Sequence, residues 1–312
     1  MADVKKKIAT RDAYGQFLVE YGEERESLIA MSADLSGSNK TDGFEKAFPD
    51  RFIQAGISEQ DMFAEAAGIA HMGNVVAAST FAMFAAGRAY EIIRNSIAYT
   101  KANVKVCATH GGITVGEDGA SHQTFEDLAL MRVIPNMTVI NPADAVSTKI
   151  LLRELFETKG PAYVRLGRSG VPVIYDEDAD IRIGKANIVR EGSDAVVIAT
   201  GLMVSEAMDA AEILSKEGIN IRILDMHTIK PIDKEAVIQS AKDCKAVVTA
   251  EEHSIIGGLG GAVAETLACN YPCKMAMVGQ KDTFGESGKP AELLKKYGMT
   301  ADDIVEAVKS LI

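Results

Sequence analysis

The chain has 312 residues, 47% of them hydrophobic, enough apolar material for two domains of ordinary size with cores of their own. A formal net charge of -11 argues against nucleic acid as a partner, because phosphate backbones reward a basic face; it leaves phosphorylated small molecules open, since these need only a few local cations. No apolar run is long enough to span a bilayer, and the lysines of MADVKKKIATRDAYG have no apolar stretch behind them, so neither a membrane span nor a secretory signal is expected.

Short apolar runs alternate with longer amphipathic ones along the whole chain. Strands are expected at SLIAMSA (27–33), RFIQAG (51–56), VVAAST (75–80), VKVCAT (104–109), MTVINPA (137–143) and AYVRLG (162–167). Helices are expected between them, at DAYGQFLVEYGEE, EQDMFAEAAGIAHM, GRAYEIIRNSIAYTK and DAVSTKILLRELFETK. The acidic stretch VPVIYDEDADIRIGKA (171–186) breaks the rhythm and reads as a link to a second, smaller unit. That unit has strands at AVVIATG, INIRILDM, KAVVTAEE and CKMAMVG, and helices at SEAMDAAEILSKEG, LGGAVAETLACNY, SGKPAELLKKYG and TADDIVEAVKSLI. The expected fold is α/β in two domains, a parallel sheet covered by helices over 1–175 and a smaller α/β domain over 191–312, with 176–190 as linker.

Four cysteines are present, Cys107, Cys244, Cys269 and Cys273. The last two form a C-x3-C with no second Cys or His pair nearby, whereas structural zinc wants four closely placed ligands. All four therefore read as reduced, mostly buried thiols of a cytoplasmic protein.

In open parallel sheets, ligands bind beyond the carboxyl ends of the strands. The first domain places Asp34, Ser36, Ser38 and Asn39 after the first of these strands and Glu59 after the second. Phe81 follows the third, and the fourth is followed by His110 and a glycine-rich loop with Glu117, Asp118 and His122. Arg168 follows the last strand. Each residue has a blander reading alone: Glu59 as a carboxylate at a helix N-terminus, Phe81 and Phe84 as core residues three apart on one helical face. Convergence of so many polar and aromatic groups on one sheet edge points to a site. His71, His227 and His253 have no comparable company and read as structural. The run GGLGG (257–261) lacks the full G-x-G-x-x-G pattern and its acidic residue, so a dinucleotide site there is not expected.

In this order, the segments ATR (9–11), SADLSGSN (32–39), GISEQ (56–60), STFAMF (79–84), ATHGGITVGEDGASHQ (108–123), RLGRSG (165–170) and DTFGESGKP (282–290) resemble the pyrimidine-binding and C-terminal domains of transketolases. The resemblance covers nearly the whole chain and implies roles residue by residue. Glu59 matches the glutamate that hydrogen-bonds a ring nitrogen of the aminopyrimidine of thiamine diphosphate, which promotes the imino tautomer. Phe81 and Phe84 match the aromatic residues packing that ring, and Asp34 an aspartate near the cofactor and the subunit interface. His110 and His122 match substrate-side histidines able to bond sugar oxygens and move protons as the C–C bond breaks. Asp118 matches the aspartate that binds a substrate hydroxyl, and Arg11, Ser38 and Arg168 the group that holds the sugar phosphate.

Three departures stand out. TFAMFAAG is shorter than the family's stretch and lacks its tyrosine before Ala-Ala-Gly, Gly111 replaces the aspartate of ATHD, and the G-D-G motif that holds the diphosphate and its Mg2+ or Ca2+ is absent. The resemblance thus implies half of a split transketolase: an N-terminal partner chain carries the diphosphate and the metal, this chain pairs with itself within a heterotetramer, and together they transfer a two-carbon ketol unit between sugar phosphates. A deoxyxylulose-phosphate-synthase-like half, a 2-oxo-acid dehydrogenase beta-type subunit and a non-catalytic regulatory subunit are the alternatives.

Overall fold

The computed structural model describes residues 6–312; residues 1–5, where the first domain is expected to begin, lie outside the described residues. Strand β1 (Lys7–Ile8) leads into α1 (Thr10–Glu24), followed by β2 (Leu28–Ser32), the short α2 (Ser36–Asn39) and α3 (Asp42–Ala47), and β3 (Phe52–Gln54). Next come α4 (Glu59–His71), β4 (Val75–Phe81), a π-helical turn at Phe84–Arg88, the single turn α5 (Tyr90–Ile92), a second π-helical stretch at Ile93–Tyr99, and β5 (Val104–Thr109). A 3-10 segment at Ile113–Asp118 precedes α6 (Asp127–Val133), β6 (Thr138–Ile140), α7 (Ala145–Glu157), β7 (Ala162–Leu166) and β8 (Val171–Pro172). Beyond the link lie β9 (Asn187–Arg190), β10 (Ala195–Ala199), α8 (Met203–Ser215), β11 (Ile221–Asp225), β12 (Thr228–Lys230) and α9 (Lys234–Asp243). The chain ends with β13 (Val247–Ser254), α10 (Leu259–Asn270), β14 (Met275–Gln280), α11 (Pro290–Lys296) and α12 (Ala301–Lys309).

The expected strands form where the apolar runs place them. The first sheet has the order β12-β6-β7-β5-β4-β2-β3, parallel throughout except for β12. The second has the order β14-β13-β10-β11-β9, with only β9 antiparallel. The two short antiparallel edge strands, β9 and β12, are absent from the sequence reading; each is too brief to show an alternation. Strand β12 lies in sequence between β11 and β13 of the second sheet yet pairs with β6 of the first, Thr228 opposite Ile140, so backbone hydrogen bonds tie the two halves together.

Helix α7 illustrates why these segments fold. Asp144 caps it, accepting from the Ser147 amide in a reciprocal capping box. Its buried residues include Thr148, Leu151, Leu152 and Leu155, the i, i+3, i+4, i+7 spacing of one helical face. Burying each large apolar side chain contributes roughly 1.5–3 kcal/mol before conformational entropy is subtracted. The second carboxylate oxygen of Asp144 accepts from the amides of Ile174 and Tyr175, so the residue that starts α7 also anchors the departing link.

The expectation that all four thiols are mostly buried holds for Cys107 and Cys244 only: Cys269 and Cys273 are exposed, because α10 ends at Asn270 and the chain runs over the surface to β14. No described helix is long and apolar enough to cross a membrane.

Candidate functional site

The carboxyl edge of the first sheet gathers the predicted residues into one strip. At one end Glu59 opens α4 and is 2% exposed. Its Oε2 accepts from Arg88 Nη1 at 2.8 Å, and the Arg88 guanidinium lies over the Phe84 ring, 4.9 Å from its centroid. Phe84 and Phe81 are parallel within 7°, centroids 5.9 Å apart. His122 meets both edge-on, and the His110 ring stacks on Phe81 at 3.8 Å.

At the other end His110 Nε2 lies 3.0 Å from Arg11 Nη1, which also donates to the Ser38 carbonyl at 3.1 Å. Ser38 therefore joins the cluster through its backbone. His110 holds a left-handed conformation, φ 60°, uncommon for a residue with a side chain and frequent at functional positions. Burial, then the cations of Arg11 and Arg168, push its imidazole down to about 3, so it is neutral at ordinary pH. Burial likewise pulls the Arg11 guanidinium below its usual range. Arg168 Nη1 donates to the Val115 carbonyl at 2.7 Å and to Glu117 at 2.9 Å, which pins the glycine-rich loop.

Two predicted residues stand apart. Asp34 is exposed, in the left-handed region at φ 57°, with its amide donating to Gln54 Oε1. Asp118 is exposed on the loop. Neither carboxylate is drawn into the strip by a side-chain hydrogen bond among the described residues.

The loop is clamped from the second domain. The Thr114 amide donates to Glu252 Oε1 at 2.7 Å, and Gln123 Nε2 donates to the Glu286 carbonyl at 2.9 Å. Beneath it lies a buried ion pair, Arg165 Nε to Asp127 Oδ2 at 2.8 Å, with Tyr163 Oη donating to the same oxygen. Arg165 also donates to the Glu252 carbonyl. A side chain at Gly111 would begin 2.6 Å from Arg165 Nε, so the glycine that departs from the family pattern is what lets this arginine pack under the loop. Burial raises the Glu252 carboxyl to about 7.

Sequence reasoning missed Arg88, Glu252 and the Arg165–Asp127 pair. Arg88 sits 29 positions from Glu59, so only the fold brings them together. Two of the three histidines read as structural are built in: His227 bonds Thr228 and Asn187, and His253 the Ser254 carbonyl. His71 makes only a surface contact with Thr100. At GGLGG, the amides of Leu259 and Gly260 donate to the Glu251 carboxylate at 2.7 Å each, so the N-terminus of α10 is taken by the protein's own anion.

Residues 6–173 match the family described as "Transketolase, pyrimidine binding domain", and residues 184–304 match "Transketolase, C-terminal domain". A "Putative transketolase C-terminal section" from Methanocaldococcus jannaschii is 53% identical, over 96% of this chain and 94% of that one. A 6-deoxy-6-sulfo-D-fructose transketolase subunit from a Clostridium species is 41% identical, over 95% and 92%. Against the transketolase of Homo sapiens the identity is 39%, over 99% of this chain but 50% of the human one. A solved structure described as "Split gene transketolase, inactive beta4 tetramer" superimposes with a TM-score of 0.91 at 53% identity, over 97% of this chain and 98% of that one. With family matches over both domains and relatives of its own length, the chain belongs to the transketolase family, where it corresponds to the C-terminal section.

Proposed function

We propose that this chain is the C-terminal subunit of a thiamine-diphosphate-dependent transketolase, active only with an N-terminal partner subunit, that transfers a two-carbon ketol unit between sugar phosphates. The observation that carries the reading is the unbroken strip from Glu59 through Phe84, Phe81, His122 and His110 to Arg11 and Ser38.

The residues present fit the pyrimidine end of the cofactor: a deeply buried carboxylate stands beside two parallel aromatic rings. Thiamine diphosphate, when bound, supplies the carbanion chemistry that breaks and makes the ketose C–C bond. Glu59 would hold a proton at the ring nitrogen, and Phe81 and Phe84 offer it flat apolar faces. Asp34, exposed beyond the strip, would come near the cofactor only toward the subunit interface. The diphosphate and its Mg2+ or Ca2+ fall to the partner, because the G-D-G motif that would hold them is absent from this sequence.

At the far end, Arg11 and Arg168 present guanidinium donors suited to phosphate oxygens, with the Ser38 segment beside them. His110 belongs to this end. Held neutral among cations, it is better suited to orient oxygens than to deliver a proton. His122, on the glycine-rich loop, would bond sugar oxygens and move a proton as the C–C bond breaks, and Asp118, exposed on the same loop, would bind a substrate hydroxyl. Large side chains exposed at Ile57, Tyr99, Val133 and Phe284 would be buried against further subunits, a second copy of this chain and the partner, in a heterotetramer.

The test is reconstitution with the partner chain, assayed with xylulose 5-phosphate and ribose 5-phosphate against pyruvate with a triose phosphate. Ketol transfer with the first pair supports the reading; turnover with pyruvate alone assigns the synthase-like or dehydrogenase alternative.

A further inference from the structure

Arg88 occupies an unusual position. Glu59 is a buried carboxylate, and an unpaired charge at that depth would be costly. Among the described residues, Arg88 is the side chain that pairs it. The partner is unlike Glu59 in one respect: the Arg88 side chain is 50% exposed, on a long flexible stem, and can leave into solvent.

The backbone puts the guanidinium there. The Ala89 amide donates to the Phe84 carbonyl at 3.2 Å, five residues back, which makes Phe84–Arg88 a π turn. Arg88, four residues after Phe84, thereby comes back over the Phe84 ring. Gly87 belongs to the same turn: a side chain there would begin 2.4 Å from Met83 Cε. The outcome is a flat cation lying across an aromatic face with its N–H edge against a buried carboxylate. Those are the two surfaces that a flat, nitrogen-edged aminopyrimidine ring would use.

We propose that Arg88 is an internal stand-in for the cofactor's aminopyrimidine: its guanidinium covers Phe84 and pairs Glu59 while the chain has no cofactor, and it must swing out before the ring can enter. The inference rests on the functional reading above. It makes Glu59 tolerable in a subunit that exists before assembly, and it makes cofactor entry a displacement. A site that is open one-tenth of the time binds about tenfold more weakly than one always open.

Thiamine itself is the probe, since without the diphosphate it needs neither metal nor partner. Titrated into the purified full chain and followed by Phe84 ring resonances, it should bind weakly to wild type and about tenfold more tightly to Arg88→Met. Arg88→Lys, which keeps the cation, should stay near wild type. In arginine-labelled wild-type chain, the restrained guanidinium resonances of Arg88 should collapse as thiamine saturates. Equal thiamine affinity in wild type and Arg88→Met, or Arg88 signals that persist at saturation, overturns the stand-in and leaves the pyrimidine site intact. Absence of thiamine binding to both chains brings down the pyrimidine-site reading and the stand-in with it.

Discussion

Arg11 Nη1 points at His110 Nε2 from 3.0 Å, and a guanidinium can only donate, so the histidine must accept there and carry its proton on Nδ1. Nδ1, 2.9 Å from Thr109 Oγ1, then donates to that hydroxyl, which in turn donates to Asn39 Oδ1 at 2.7 Å. One arginine thus sets the direction of a four-residue chain.

This chain has a pH signature. An ordinary imidazole takes its proton near 6.5, whereas His110 in the fold resists until about 3. Between those values the unfolded chain binds more protons, so this contribution to stability is whole above pH 6.5 and falls as the pH drops toward 3. His227, held at about 4, acts in the same sense, while Asp225 and Glu252, raised to about 7, act in the opposite one. The difference between wild type and His110→Gln isolates the contribution of His110. Urea unfolding at pH 7 and pH 5 should show wild type losing more stability than His110→Gln on acidification. Nitrogen shifts of the wild-type ring at pH 7 should report a neutral Nδ1–H tautomer.

Glu59→Gln should fold nearly as wild type, because glutamine can still accept from Arg88. In the reconstituted two-chain enzyme it should remove most turnover. Deuterium exchange at the thiazolium carbon is the direct readout and should slow sharply; wild-type exchange in the variant would remove Glu59 from its assigned role.

Arg168→Ala should weaken phosphorylated substrates by roughly 1.5–3 kcal/mol, chiefly as a raised KM. Since Arg168 also ties Val115 and Glu117, the control is a non-phosphorylated ketose. If that substrate loses as much, the arginine acts by holding the loop.

Arg165→Met should destabilise the chain by about 3–5 kcal/mol, because it strands the buried Asp127 carboxylate with only the Tyr163 hydroxyl. The double variant Arg165→Met with Asp127→Leu should recover much of that loss. Denaturant midpoints of the three chains decide the point.

The sheet and its edge were legible because their signals are local. VVAAST and VKVCAT are apolar and bounded by turn residues, and the strand-by-strand rule puts Glu59, Phe81, His110 and Arg168 at one edge without knowledge of any contact. What stayed hidden was set by insertion or by distance. GRAYEIIRNSIAYTK reads as an ordinary helix, since a π turn adds one residue and leaves no periodic trace over so short a span. Thr114 and Glu252 lie 138 positions apart and Asp127 and Arg165 38 apart, and the partner of a buried charge cannot be chosen from a sequence rich in both signs. Glu251 explains GGLGG only once β13 and α10 are adjacent.

The central claim is that this chain holds the pyrimidine end of a cofactor whose diphosphate end belongs to another subunit. Stacking one ring seldom offsets the entropy of ordering a flexible cofactor, so the chain alone should bind thiamine diphosphate weakly whether or not magnesium is present. Calorimetric titration of thiamine diphosphate with magnesium, first into this chain alone and then into an equimolar mixture with the N-terminal subunit, measures this directly. The account predicts tight, magnesium-dependent binding and ketol transfer only in the mixture, with activity rising until the two chains are equimolar. Tight, magnesium-dependent binding to this chain alone would contradict it.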